Sequence, residues 1–374
     1  MPVPLDSQTI GQRIAEARGR AGLTQAALAS AIGLDRSSLA KIEIGTRRVS
    51  ALELSRIADA LRQRVEWFLE DAPAAIVSRR NLQEPGSPSP AIDVKIERIA
   101  RNVEFLETHD TNLRLRSPET LSRPATVSAA ETTAGQARIL LGLNGEEPFV
   151  DVSARSAAIG LLVFSLAIDG DAADAASVLL RQGGVALVNG HLRVGRRRLA
   201  ATHELGHYLF SDEFTVDWRI GEQDDPDAWE SRLDRFARAV LLPPAGVRRA
   251  WDERHQAGGD LRITAVKLAS HYRVDMTTLA RRLSELGMIS QPQANQVRLV
   301  RTTKADIIEH GLLVHHELEP PDLPRPYVAS VLRLYRSETI SAARATDLLL
   351  DTWEESDLPT LPPLPEQAIW KFVS

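Results

Sequence analysis

The chain has no cysteine in its 374 residues. That excludes disulfides, a thiolate nucleophile and any zinc site built on sulfur. A metal here has to be held by His, Asp or Glu. The absence also fits a reducing compartment. Long apolar runs are missing too. The longest, IGLLVFSLAI at residues 159–168, is about half of the ~20 residues a membrane span needs. The opening stretch MPVPLDSQTIGQRIAEARGR has no apolar core of the kind a secretion signal carries. The expectation is a cytoplasmic protein with no membrane partner. A large excess of either charge is missing as well: a net charge of -5 excludes a chain that is basic throughout, yet leaves room for a local basic patch.

What is present reads as globular protein, with 43% hydrophobic and 25% charged residues. The length is too great for one typical domain and fits about two or three. Residues 7–70 read as closely spaced short helices. SQTIGQRIAEARGRAG places Ile10, Ile14 and Ala17 on one face and stops at Gly22. LTQAALASAIG has Thr24 as N-cap, Leu28 and Ile32 on its apolar side, and Gly33 as its stop. DRSSLAKIEIG starts another helix that ends near Gly45. Ser50 caps SALELSRIADALR, and VEWFL follows.

A helix, tight turn and helix centred on Gly33 form a unit that reads DNA. The second helix opens with Arg36, Ser37 and Ser38, where side chains meet base edges. Lys41 faces out, while Leu39 and Ile42 anchor the helix. Gln25 opens the preceding helix, where an amide can bond a phosphate or an adenine edge. Arg47 and Arg48 follow and suit phosphates. The ordered segments LTQ, LA, IG, KIEIG and LxxIADAL resemble the XRE (phage-repressor-like) helix-turn-helix family over residues 7–70. The resemblance implies double-stranded operator DNA as a partner. Because the region is not strongly basic, affinity would lean on a few arginines and on a homodimer. The competing reading is a small helical domain used only for dimerisation or partner binding.

EDAPAAIVSRRNLQEPGSPSPAIDV carries Pro73, Pro85, Pro88 and Pro90 with Gly86 and cannot hold a long helix, so it reads as a linker. VKIERIARNVEFLETHD returns to helical spacing through Ile96, Ile99, Val103 and Leu106. Such a helix could join two lobes or pair with its copy in a dimer. A further connection and a helix follow up to residue 143. AIGLLVFSLAID and GGVALVNG then read as buried strands, with HLRVG as a third.

RRRLAATHELGHYLF carries His203 and His207 four apart, on one helical face. Two neutral imidazoles at that spacing can fill two corners of a tetrahedral zinc. Glu204, one residue step round, falls beside the metal, where a carboxylate can act as general base on bound water and return the proton to the leaving amine. Leu199, Leu205, Leu209 and Phe210 bury the remainder of the helix, where an unpaired His or Glu would be costly. WESRLDRFARAVLLPP offers Glu230 as a third ligand. It also offers Asp234, one turn on, to accept the free N–H of a liganding histidine, His203 being the first choice. His191, His255, His271 and Tyr208 are further candidates to stabilise an oxyanion, though each more often packs or faces solvent. HHE at 315–317 reads as solvated loop.

HExxH followed by ExxxD resembles the gluzincin (thermolysin-like) arrangement. More closely, the two segments resemble the ImmA/IrrE family of zinc peptidases, over about residues 150–290. Where that family usually has Asn, this chain has Asp234, and where it has Met, this chain has Leu242. The resemblance implies Zn2+, with Mn2+ able to occupy similar ligands. It also implies cleavage of a repressor-type protein that relieves transcriptional repression, often in stress response or control of mobile elements. With a DNA reader in the same chain, the substrate could be a separate repressor, a partner, or this protein itself through the linker at residues 72–92. The alternative is a regulator or antitoxin that does not cut, and binds DNA and a toxin partner.

The expected fold is multidomain and mainly α with a small β-sheet. It comprises an all-α helix-turn-helix domain over 1–72, a linker and connecting helix over 73–125, an α+β thermolysin-like minimal peptidase domain over 126–290, and a helical region over 291–374. That last region has helices through Val328, Val331, Leu332 and Tyr335 and from near Ser341, then an acidic, proline-rich tail with Trp370 and Phe372.

Overall fold

The computed structural model describes residues 6–61, 65–69, 77–80, 90–117, 119–169, 173–211, 226–256 and 260–361. Five helices come first: α1 (Ser7–Arg20), α2 (Gln25–Ile32), α3 (Arg36–Glu43), α4 (Ala51–Ala60) and α5 (Val65–Leu69). Their boundaries follow from capping. Asp6, Thr24 and Asp35 each accept a backbone N–H of the first turn, and Ser50 forms a reciprocal box with Glu53. Gly33 closes α2 at φ 72°, a left-handed conformation that glycine adopts without a Cβ penalty. Ile14, Leu28, Leu39, Ile42, Ile57 and Phe68 make a core drawn only from this region. At Gly11, a Cβ would stand 2.2 Å from the Ile42 carbonyl oxygen, so only glycine lets α1 cross α3 this closely.

Strand β1 (Val77–Arg80) and helices α6 (Pro90–His109), α7 (Val127–Leu140) and α8 (Val152–Ala158) lead into β2 (Leu161–Leu166), β3 (Ala175–Leu179) and β4 (Gly184–Asn189). The sheet order is β1-β3-β4-β2. β3 runs antiparallel to both of its neighbours, and β2 runs parallel to β4. β2 and β4 are buried along their whole length, as expected for strands covered on both faces. The outer edge of β2 is closed by a bridge between Ser165 and Asp322. Beyond the sheet lie α9 (Val194–Leu209), α10 (Pro226–Leu241), α11 (Pro244–Gln256), α12 (Leu261–Tyr272), α13 (Met276–Glu285), α14 (Gln291–Leu299), α15 (Lys304–Glu309), α16 (Arg325–Arg336) and α17 (Ala342–Leu348).

Two cores sandwich the sheet. On one face Val163, Ala186 and Val188 meet Leu205 of α9, Phe236 of α10, Ala134 of α7, and side chains of α12, α13 and α14. On the other, Leu162, Phe164 and Leu187 meet Ile96, Ile99, Val103 and Leu106 of α6, with Tyr327 and Val331 of α16 and Leu348 of α17. The apolar side of α6 is therefore spent on the sheet. Among the described residues, no helix is long and apolar enough to cross a membrane.

Three local readings are corrected. HLRVG is not a strand: it turns at residues 190–192 and enters α9 at Val194. The strand beside β4 is instead AASVL of β3, whose small residues carry little β signal and gain their strand from two paired neighbours. Within the stretch read as linker, Val77–Arg80 forms β1. The tail with Trp370 and Phe372 lies outside the described residues.

Candidate metal centre

Helix α9 is buried on all sides from Arg197 to Leu209. A helix in that position can carry charge only where every charge finds a partner. The three arginines that open the motif meet this demand. Arg196 pairs with Asp174 at 2.7 Å. Arg197 donates to the carbonyls of Gly190, Leu192 and Glu317. Arg198, fully buried, donates to the Phe149 carbonyl and pairs with Glu317. Glu317 also accepts from the Val152 amide at 2.6 Å and from Arg273 at 3.2 Å. The HHE stretch is thus solvated only in part: His316 is exposed, whereas Glu317 is the counter-charge of a buried arginine, a role that only the tertiary structure creates.

The structure brings His203, His207 and Glu230 together, with one ligand atom from each lying within 4.8 Å of the others. The Nε2 atoms of the two histidines are 3.2 Å apart. His203 Nε2 lies 3.1 Å from Glu230 Oε2, and His207 Nε2 lies 3.8 Å from Glu230 Oε1. A tetrahedral ion with bonds of about 2.0–2.1 Å sets neighbouring ligands roughly 3.3–3.4 Å apart, so these separations bracket that value. Two imidazoles and a carboxylate are also the donor types zinc accepts, and the residues fit the group. Burial alone would raise the Glu230 carboxyl, but its hydrogen bond to His203 and the charges of His203 and His207 outweigh that and hold it below the usual range.

Asp234, one turn beyond Glu230, bonds His203 Nδ1 at 3.0 Å. Asp234 can accept an N–H at Nδ1, and with an ion bound the Nε2 lone pair would be the one left to face it. The other Asp234 oxygen is 3.7 Å from Arg238, which pairs with Glu285 at 2.9 Å. Glu131 of α7 accepts from Arg235 and Arg282. Burial would raise the Glu131 carboxyl, but Arg282 and then Arg235 outweigh it and lower it. A chain of charges across α7, α10 and α13 thus holds α10 in place.

Glu204 is fully buried. Its Oε2 accepts from the Ser177 hydroxyl at 2.6 Å, and its Oε1 is buried with no hydrogen-bond partner among the described residues. That oxygen, on the residue next to His203, is an acceptor without a donor among the described residues. Ser177 was not legible in the sequence, because β3 was not. Tyr208 is buried, and its one hydroxyl proton is taken by the Ile159 carbonyl at 2.8 Å, with the Arg116 carbonyl at 3.1 Å beside it, so it is not free for an oxyanion. His191 is exposed and contacts Asp169. His271 is exposed and stacks edge-on against Tyr272. The side chain of His255 lies outside the described residues.

In the N-terminal region Arg36, Ser37, Lys41 and Arg48 are exposed, and Ser38 and Arg47 are half-buried. Ser37 and Ser38 both donate to Asp35, which holds the Asp35 carboxyl far below its ordinary value. Arg47 pairs with Glu53 at 2.6 Å. Gln25 donates to the buried Glu43 at 2.7 Å, and Glu43 also takes Arg18 at 2.6 Å. Glu43, the acid of KIEIG, is thus the hub that fixes the start of α2 against α1 and α3.

Comparison with known proteins agrees with this division. The helix-turn-helix family matches residues 14–68, and the IrrE N-terminal-like domain matches residues 158–284. An uncharacterized HTH-type transcriptional regulator of Sinorhizobium fredii is 41% identical over 64 residues, 17% of this chain and 45% of the relative. Similar regulators from Sinorhizobium medicae and Rhizobium meliloti are each 38% identical over 72 residues, 19% of this chain and 51% of the relative. The chain spans about half the length of these curated relatives.

Proposed function

We propose, from a chain that joins an XRE-type helix-turn-helix region to an IrrE-like peptidase region, a DNA-binding transcriptional regulator that is also a zinc-dependent endopeptidase. It cuts a repressor, a partner protein or itself to relieve repression. The observation that carries this reading is the convergence of His203, His207 and Glu230, with Glu204 next to His203 on the same buried helix.

His203, His207 and Glu230 would hold the ion, and Asp234 fixes the His203 tautomer. Bound zinc supplies Lewis acidity toward the scissile carbonyl and lowers the pKa of water. Glu204 Oε1 takes the proton from the attacking water and delivers it to the departing amine. Ser177 occupies Oε2 and so leaves Oε1 as the free base. At the other end Arg36, Ser37, Ser38 and Lys41 would meet the bases and Arg48 the phosphates of an operator bound by a homodimer, with Gln25 and Arg47 joining them only by giving up their bonds to Glu43 and Glu53.

Elemental analysis and cleavage assays test the pair of claims. Wild type and Glu204→Gln should each retain one zinc. Wild type should cut unfolded casein or a repressor from the same genome, and Glu204→Gln should do so about 10²–10⁴-fold more slowly. Equal rates in the two proteins would refute the assigned base. Zinc and operator binding with no cleavage of any partner would favour the alternative of a regulator or antitoxin that only binds.

A further inference from the structure

Glu204 is held from the sheet as well as from its own helix: Ser177, in the middle of β3, bonds it at 2.6 Å. The backbone of β3 therefore runs directly beside the candidate base. A strand offers main-chain donors and acceptors along two edges. β4 takes one edge of β3 over Ala175–Leu179. An extended peptide pairing with the other edge would pass Glu204 with its carbonyls held in register, the mode by which a sheet edge captures a peptide. In this chain β1 already lies there, antiparallel, with Val77 opposite Val178, Ser78 opposite Ser177, Arg79 opposite Ala176 and Arg80 opposite Ala175. β1 also lies against α9, the helix of the two histidines. Its place in the chain, after α5 and before α6, makes it part of the segment that joins the helix-turn-helix core to the sheet. At four residues it is shorter than the usual strand of about 5–6, so few main-chain pairs hold it to β3.

We propose that Val77–Arg80 is an in-chain occupant of the outer edge of β3, and that an extended peptide segment must displace it to pass the candidate base. The identity of the displacing partner as a substrate rests on the peptidase reading; the pairing does not. The site and the DNA reader are thereby coupled, because the strand that covers the one is tethered to the other.

The absence of cysteine makes a direct test clean. Arg79→Cys with Ala176→Cys, in the full-length protein, puts two thiols on directly paired residues. Oxidation should close an intramolecular disulfide. Amide exchange over Ala175–Leu179 should be about tenfold faster in Ser78→Pro, which breaks the edge strand, than in the oxidised pair. A synthetic peptide of residues 75–82 should slow that exchange in Ser78→Pro and leave the oxidised pair unchanged. With zinc, the oxidised pair should cut unfolded casein about tenfold more slowly than the same protein reduced. Failure of the disulfide to form, or equal exchange in wild type and Ser78→Pro, would show that β1 does not hold this edge. Equal casein cleavage in the oxidised and reduced forms would show that the edge is not where a substrate docks. If no form cuts casein, the peptidase reading fails on its own. The added peptide then decides: protection of β3 in Ser78→Pro supports a peptide-docking edge, and lack of protection overturns it.

Discussion

Ser177 shows how much a single hydroxyl can decide. It donates to one oxygen of Glu204 and leaves the other free, so Ser177→Ala should lower cleavage about tenfold while zinc content stays at the wild-type level. Loss of zinc along with activity would mean a structural role instead. Away from the site, Asp110 accepts from Ser330 at 2.6 Å, from Arg333 at 2.6 Å and from the Asn112 amide at 3.0 Å. Burial alone would push its carboxyl up, but these donors outweigh burial and hold it far below its ordinary value. A depressed carboxyl contributes stability that is fully present above its unfolded pKa of about 4 and is lost as pH falls from there toward the folded value. Asp110→Asn should therefore cost about 2–3 kcal/mol in urea unfolding at neutral pH, with the difference shrinking below about pH 4. The motif histidines could be read from spacing, and Glu230 was offered by the ExxxD segment of a second helix. Ser177, Glu317 and Arg238 could not, because each acts on a partner far away in the chain.

At the scale of elements, the site is a distance between two helices. α9 supplies two imidazoles and α10 supplies Glu230 and Asp234, so the gap between the helices sets the ligand separations. Gly206 holds that gap. A Cβ there would meet Leu233 Cδ2 at 2.9 Å and Phe236 Cδ1 at 3.2 Å, both side chains fully buried in α10. Gly206→Leu should push α10 outward and weaken zinc retention by about tenfold or more, measured by competition with a chelator, even if the protein stays folded. Gly195, at the other end of α9, faces backbone: a Cβ would lie 2.3 Å from the Asp275 nitrogen. Gly195→Ala should cost about 1–3 kcal/mol of stability, read from thermal unfolding. Helices with clear caps were legible in the sequence. β3 was not, because Ala-Ala-Ser becomes a strand through its neighbours rather than through its own propensity.

For the whole molecule, the packing separates a small N-terminal core from the two cores that share the sheet. Stripping zinc should therefore destabilise only the larger unit. With free metal at about 100 times its dissociation constant, linkage predicts a loss of about 2.7 kcal/mol there on chelation, seen in calorimetry as one shifted transition beside one unshifted. A single transition that moved as a whole would show the regions to be coupled in stability. The sequence by itself determined the two motifs. A capped helix, turn and helix, and two histidines one helical turn apart with a glutamate between them, depend on neighbours within a few residues, so local spacing is enough to write them. The tertiary structure alone decided which side chains support those residues. Ser177 on Glu204, Glu317 on Arg198 and β1 along β3 all join segments far apart in the chain, and such contacts exist only once the sheet and its helices have packed.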